Sequence, residues 1–463
     1  MYEDTIAAIA TAQGEGGLGV VRLSGRDAGD VAARLFRRGR RLQPMHVDNL
    51  ESHRLYYGSI VDPQTDQVVD EVMLVRMRAP RSYTREDVVE ISCHGGLLPV
   101  REVLRLTLAY GARLADPGEF TLRAFLNGRI DLSQAEAVSG VVAARTPRSL
   151  DLAIGELRGR LTGRLAPARD ALVETMAYLD AAADFPDDEI PSLELDPALV
   201  RAQAALVSVV DSARQGLLYR EGVRIAIVGR PNAGKSSLLN RLLGIDRAIV
   251  TNIAGTTRDV IAEQINLDGL PATLLDTAGI AESQDVIEQM GIARSREALE
   301  SSGIALFVID GSSPPERDDQ EIARLLAERL DSGGMVVALN KADRERVEGH
   351  EETLRILPHV PVVSISTLTG DGIDALRQVL HEQAVGQTMV SGEPALVTVR
   401  QLDALRRALG HVESAQDARA LGVPIDLLAV DVRAALHAIG EVTGERVDEA
   451  VLDEIFSRFC IGK

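Results

Sequence analysis

The run Gly229-Arg230-Pro231-Asn232-Ala233-Gly234-Lys235-Ser236 constrains the fold most, because of what flanks it. Val223 to Val228 before it reads as a short apolar strand, and Ser237-Leu238-Leu239-Asn240-Arg241-Leu242-Leu243 after it is helix-prone. Strand, glycine loop and helix in that order form a phosphate-cradling P-loop in an α/β domain. Backbone N–H groups of the loop and the helix N-terminus point at the anion. Lys235 can place a point charge between β- and γ-phosphate, and the Ser236 hydroxyl can ligate Mg²⁺.

Lysine usage points the same way. Of 50 lysines and arginines only three are lysine: Lys235 in the P-loop, Lys341 in Asn340-Lys341-Ala342-Asp343, and Lys463 at the end. A chain that writes arginine for generic charge has kept the compact ammonium where a planar guanidinium is no substitute. The Asn340 to Asp343 motif follows an apolar run, Met335 to Leu339. Asp343 can accept two hydrogen bonds from N1–H and N2–H₂ of guanine, a pairing adenine does not offer, so the nucleotide is GTP. Ser364-Ile365-Ser366, after another strand, would support the base. Asp276-Thr277-Ala278-Gly279 follows the strand Thr273-Leu274-Leu275, its Asp suited to hold the metal through water and its Gly N–H to meet the γ-phosphate. These elements predict a Ras-like G domain, with Asn232, Ala233, Gly234, Lys235, Ser236 and Ser237 around the phosphates.

Two details depart from signalling GTPases. Ile280 follows Gly279 where Ras-like proteins carry a glutamine that orients the attacking water. An apolar side chain cannot do that, so another residue must. The P-loop also carries Asn232, whose amide oxygen can ligate a cation or can simply stabilise the loop. Thr251-Asn252-Ile253-Ala254-Gly255-Thr256-Thr257 is rich in hydroxyls and carbonyls. Thr257 suits a Mg²⁺ ligand, and the other groups could close a monovalent-cation site beside the phosphates. Arg258 is a rival source of positive charge, though it abuts Asp259.

The rest of the chain divides by texture. Gly19-Val20-Val21-Arg22-Leu23, Glu71 to Val75 and Val88 to Ile91 read as strands, and Val100 to Tyr110 as a helix. Leu157, Leu161, Leu165, Leu172, Met176 and Leu179 recur at helical spacing, and the texture returns in Leu402, Leu405, Leu409 and beyond. The predicted fold class is multidomain, α/β plus all-α. An N-terminal α+β domain (1–126) precedes a discontinuous helical domain (127–221 and 383–463), into which the G domain (222–382) is inserted. The acidic segment Asp184 to Glu189, with Pro186 inside it and Pro191 just beyond, reads as a loop. A net charge of -19 argues against coating nucleic acid by bulk electrostatics, and 3% aromatics against a base-stacking platform. Two cysteines, Cys93 and Cys460, suit a reducing compartment. With no basic, apolar leader and no apolar run of about 20 residues, the expectation is cytoplasmic, with no membrane partner.

With these residues placed, the chain resembles the tRNA modification GTPase family known as MnmE or TrmE over its whole length. GVVRLSG, EDVVEISCHGG, PGEFTLRAFLNGRIDLSQAEAV, GRPNAGKSSLLN, TNIAGTTRDV, DTAGI, NKAD and the terminal FCIGK carry the resemblance. It implies a potassium-activated GTPase, homodimeric through its N-terminal domains. It also implies work with the flavoprotein MnmG, which brings FAD, to install a carboxymethylaminomethyl-type group at C5 of the wobble uridine of certain tRNAs. The carbon would come from a tetrahydrofolate derivative, 5-formyl- or methylene-tetrahydrofolate. The resemblance makes Glu288 the water-orienting catalytic residue beside Lys235. It assigns potassium to Asn232, Thr251, Ile253 and Thr256, and the folate to Arg22, Glu90, Arg129 and Lys463. A carboxylate suits a pterin edge and cations suit a glutamyl tail, although Arg22 or Arg129 could serve in a surface ion pair and Glu90 could solvate a strand edge. Arg129 stands where the family often has lysine, and Ile365 where a small residue is common. Cys460 reads equally as a small buried hydrophobe or a reactive thiol.

Overall fold

Alternation along the N-terminal strands makes a sheet with two unlike faces. The strands are β1 (Ile6–Ile9), β2 (Gly19–Ser24), β3 (Phe36–Arg38), β4 (Gln43–Pro44), β5 (Leu55–Val61), β6 (Val68–Met77), β7 (Val88–Cys93) and β8 (Arg113–Leu114). Their spatial order is β4-β3-β5-β6-β7-β2-β1-β8, antiparallel throughout except for β1 beside β8. Val21, Leu23, Val89, Ile91 and Cys93 point to one face. There they pack on helices α1 (Ala28–Leu35) and α2 (Leu97–Ala109) through Val31, Leu35, Val103 and Leu106. The opposite face carries Arg22 directly across from Glu90, and further along it Leu55, Tyr57 and Met73 stay exposed.

The computed structural model describes residues 4–12, 14–46, 49–184, 195–246, 262–276, 302–329, 333–386 and 393–462. They form two units, one of residues up to 139 plus those from 440, the other of residues 140–439. In the first unit the sheet is joined by α3 (Glu119–Leu126), by α4 (Leu132–Ala143), which runs across its boundary, and by the last helix, α14 (Glu449–Ser457). Arg123, 1% exposed, bonds to Glu119, Asp4 and Glu86 and so fixes α3. Ile455, Phe456 and Phe459 bury against Leu132 and Ala135. The stretch 383–463 has residues in both units, and its final aromatic residues pack on Leu132 and Ala135, which belong to the stretch 127–221 expected to form one helical domain with it.

In the second unit most residues of the helical stripes read from the sequence are buried, though Leu157 and Leu409 are half-buried and Leu427, expected in the last stripe, is exposed. Helix α5 (Pro147–Leu157) opens on a Thr146/Ser149 capping box. Helices α6 (Arg160–Asp184) and α7 (Leu195–Glu221) bury Leu161, Leu165, Leu172 and Leu179, and Leu199, Leu206 and Val209, respectively. The G-domain sheet has β9 (Val223–Val228), β10 (Ala262–Leu267), β11 (Leu270–Asp276), β12 (Ile304–Asp310), β13 (Gly334–Asn340) and β14 (Val362–Ser364), in the order β10-β11-β9-β12-β13-β14. Only β10 and β11 pair antiparallel. Every residue of β12 is buried, the pattern of a strand covered on both faces. One face packs on α8 (Lys235–Asp246) and α11 (Ile373–Val385), and on Leu152 and Tyr219 of the preceding helices. The other packs on α9 (Arg317–Ala327) and α10 (His350–Arg355) and the loop after it, through Ala323, Leu326, Leu354 and Leu357. Helices α12 (Val399–Ala420) and α13 (Ile425–Thr443) follow, α12 opening on a Thr398/Gln401 capping box. Among the described residues no helix is long and apolar enough to cross a membrane.

Candidate functional site

The P-loop turns from β9 into α8 as the sequence dictates. Gly234 sits at φ +100°, and a β-carbon there would collide with the side-chain amide of Asn340. That amide donates to the Ala233 carbonyl at 2.9 Å, while its oxygen accepts from the Thr367 N–H at 3.2 Å. Asn340, 1% exposed, thus ties the phosphate loop to the base-recognition loop. Lys235 donates to the carbonyls of Gly229 (2.7 Å) and Arg230 (2.9 Å), which keeps the ammonium over the loop. Ser236 and Ser237 are exposed in the first turn of α8, where a hydroxyl can face Mg²⁺. Asn232 lies at φ +63° with its side chain exposed, and it makes no hydrogen bond to a described residue.

On the base side, Ser366 is fully buried and donates to Asp343 at 2.5 Å. That bond, ahead of any other influence, pulls the Asp343 carboxyl below its ordinary range and keeps it an anionic acceptor. Ile365 is buried in the core and serves the loop through its backbone, its carbonyl accepting from the Ala342 N–H at 3.0 Å. Ser364, by contrast, is exposed in β14. Lys341, at φ +66°, is anchored to Asp310 at 2.6 Å. Burial raises the Asp310 carboxyl, but hydrogen bonds from Lys341 and Ser312 outweigh it and hold it at about 2. Asp276 closes β11. Thr251, Asn252, Ile253, Ala254, Gly255, Thr256, Thr257, Thr277, Ala278, Gly279, Ile280 and Glu288 lie outside the described residues, as does Lys463.

A second constellation occupies the first unit. Arg22 Nε meets Glu90 Oε1 at 2.8 Å, and Arg22 Nη1 donates to the Gly462 carbonyl at 3.2 Å. The Arg22 guanidinium lies over the rings of Tyr83 (5.8 Å) and Phe120 (5.7 Å). Arg129 lies over the same Tyr83 ring at 4.7 Å and donates to the Tyr83 carbonyl at 3.0 Å. Gly462, at φ +95°, passes so close to β1 that a β-carbon would strike the Ile9 carbonyl. Three of the four residues assigned to folate are therefore brought together, with the chain end beside them. Tyr83 and Phe120, which share the cluster, escaped sequence reasoning, and so did Asp310. The signal for Asp310 was its place at the end of the apolar run Ile304 to Ile309. Cys460 is exposed, which removes its reading as a buried hydrophobe, and Cys93 is buried.

A mostly parallel sheet with a lysine-bearing P-loop and an Asn340-Lys341-Ala342-Asp343 base loop defines a guanine-nucleotide-hydrolysing protein, a P-loop GTPase. Family models narrow the class, with residues 5–129 matching the GTP-binding protein TrmE N-terminus and residues 132–460 the MnmE helical domain. The chain belongs to the MnmE family. It is 48% identical to the tRNA modification GTPase MnmE of Roseiflexus sp. (strain RS-1) over 471 residues, covering 100% of both chains. It is 47% identical to the protein of that name from Geobacter sulfurreducens over 469 residues, again covering 100% of both. Among solved structures it is similar to Aquifex aeolicus Era bound to GDP.AlF4-, at 29% identity and a TM-score of 0.28, covering 41% of this chain and 66% of that one.

Proposed function

We propose that this protein uses GTP hydrolysis to drive modification of certain tRNAs at C5 of the wobble uridine. It would act with the flavoprotein MnmG, which carries FAD, and add a carboxymethylaminomethyl-type group. The observation that carries the reading is the meeting of Arg22, Glu90, Tyr83 and Arg129 with the C-terminal Gly462, in a chain whose other unit is a GTPase. A carboxylate flanked by two guanidinium groups and an aromatic ring suits a pterin and its glutamyl tail. The residues present fit a tetrahydrofolate derivative, with Glu90 for the pterin edge and Arg22 and Arg129 for the tail. When bound, the folate supplies the one-carbon unit. Mg²⁺ would sit at Ser236 and Thr257, and K⁺ at Asn232, Thr251, Ile253 and Thr256. Assembly as a homodimer is supported by the uncovered part of the N-terminal sheet, where Leu55 and Tyr57 are 59% and 48% exposed.

The test is mass spectrometry of tRNA nucleosides from a strain lacking the gene, complemented with wild type or Arg22→Ala. The C5-modified uridine should disappear in the deletion, return with wild type and stay low with the variant. Unchanged nucleosides in the deletion would show a regulatory GTPase with no modification role.

A further inference from the structure

The two halves of the nucleotide site hang from β9 and β13, and β12 runs between them. Asp310, the last residue of β12, is 7% exposed and faces both. Its Oδ2 accepts from Lys341 of the base loop at 2.6 Å and lies 3.9 Å from Arg230 Nη2 of the P-loop. Arg230 itself is 8% exposed. Its fork also reaches Glu316 and Ser313, and its Nε lies 3.4 Å from Asp319, which is fully buried. Glu316 and Asp319 are the N-cap and third residue of α9. The backbone carbonyl of Arg230 meanwhile accepts from Lys235 at 2.9 Å. One residue thus holds the phosphate lysine through its backbone and, through its side chain, stands within ion-pair distance of the carboxylate that anchors the base lysine.

We propose that Arg230 is a positioning residue for guanine nucleotide, locking the P-loop through Asp310 to Lys341 so that the phosphate and base halves keep a fixed spacing. A planar guanidinium hydrogen-bonds Glu316 and Ser313 while spreading its charge towards Asp310 and Asp319, which a point-like ammonium does not do in the same plane. Buried Asp319 in turn is stabilised by that cation, because a buried carboxylate without a compensating charge is strongly destabilising, while Asp310 shares its charge between Lys341 and Arg230. The lock is therefore stiff, and slack in it lets the two loops separate and the nucleotide leave.

The test uses the full-length protein with Arg230→Lys, Asp310→Asn and the double variant, each checked for folding by its melting curve. Release of a fluorescent GDP should speed up by about tenfold in each single variant, the scale of one lost charge-assisted hydrogen bond. The KM for GTP should rise by more than kcat falls. The double variant should be no worse than the poorer single one, since both act through one carboxylate. A lower melting temperature with GDP release within about twofold of wild type would mean a purely structural role and overturn the proposal. Additive effects in the double variant would overturn it too. Should Arg230→Lys fail to fold, Arg230→Gln decides, because it removes the guanidinium charge while leaving the Asp310–Lys341 pair intact.

Discussion

Asn340 and Gly234 occupy one space between them, the Asn340 amide filling the volume that a β-carbon at position 234 would need. The glycine serves close approach as well as its left-handed φ of +100°. Gly234→Ala should therefore displace Asn340 and cut its bond to the Ala233 carbonyl. We expect a stability loss of about 1–3 kcal/mol and a fall in GDP affinity of at least tenfold. Calorimetry with GDP, alongside thermal melts, checks both, and wild-type affinity would show that the two loops move independently.

Base choice rests on Asp343. Asp343→Asn turns one carboxylate oxygen into a donor, opposite groups of guanine that also donate. Xanthosine nucleotides, which present a carbonyl at that edge, should gain affinity while GTP loses it. Competition of XTP and GTP for the variant reads this out, and unchanged GTP preference would contradict the assignment. Ser366→Ala should weaken GTP binding as well, because it removes the hydrogen bond that orients the Asp343 carboxylate towards the base.

Much of the GTP site was legible because its residues are contiguous. β9, the P-loop and α8 form one uninterrupted stretch, and apolar β13 leads straight into the base loop. The Arg22 cluster was not legible from spacing. Its members at 22, 83, 90, 120, 129 and 462 come from separate segments, and only the resemblance joined some of them. Tyr83 carries no local signal, since a tyrosine between short β-like runs reads as ordinary packing. The particular partners of 440–462 were hidden for a different reason. An apolar stripe says that a helix face will be buried, but Phe456 and Phe459 do not announce that Leu132 will bury them.

If the Arg22 cluster holds a folate, Arg22→Ala should weaken 5-formyl-tetrahydrofolate binding by about ten- to a hundredfold, the scale of a lost charge-assisted contact. Glu90→Gln should weaken it comparably. Deleting Lys463 tests the chain end, with a melting curve to confirm that the Gly462 carbonyl still meets Arg22. Titration calorimetry showing full folate affinity in all three variants would place the pocket elsewhere.

The two thiols should differ in reactivity. Burial, with help from the Asp70 carboxylate, pushes the Cys93 thiol up to about 11, so its thiolate is scarce at pH 8 and becomes abundant only above pH 11. Cys460 is exposed. Iodoacetamide at pH 8 should label Cys460 alone in the native protein, and both cysteines in denaturant. Rapid native labelling of Cys93, located by peptide mapping, would mean that β7 opens.

The chemistry of hydrolysis gives the sharpest test of the cation. Asn232 presents an exposed amide at a left-handed turn with no described hydrogen-bond partner, beside a lysine already committed to the loop. An additional positive charge there would do what an arginine finger does elsewhere, a contribution of roughly 10³ to 10⁵ in rate. Potassium should therefore raise the GTPase rate over sodium by about tenfold or more at equal ionic strength. Asn232→Ala should erase that difference while still binding GTP. If the cation site closes only when another G domain caps it, potassium should also drive pairing of G domains in a transition-state analogue, and Glu288→Ala should slow hydrolysis yet leave that pairing in place, because orienting water and closing the cation site are separate tasks. Equal rates in sodium and potassium for the wild type would remove the cation from the mechanism. The missing charge would then have to come from a side chain, and Arg258, next to the Thr257 assigned to Mg²⁺, is the first to replace.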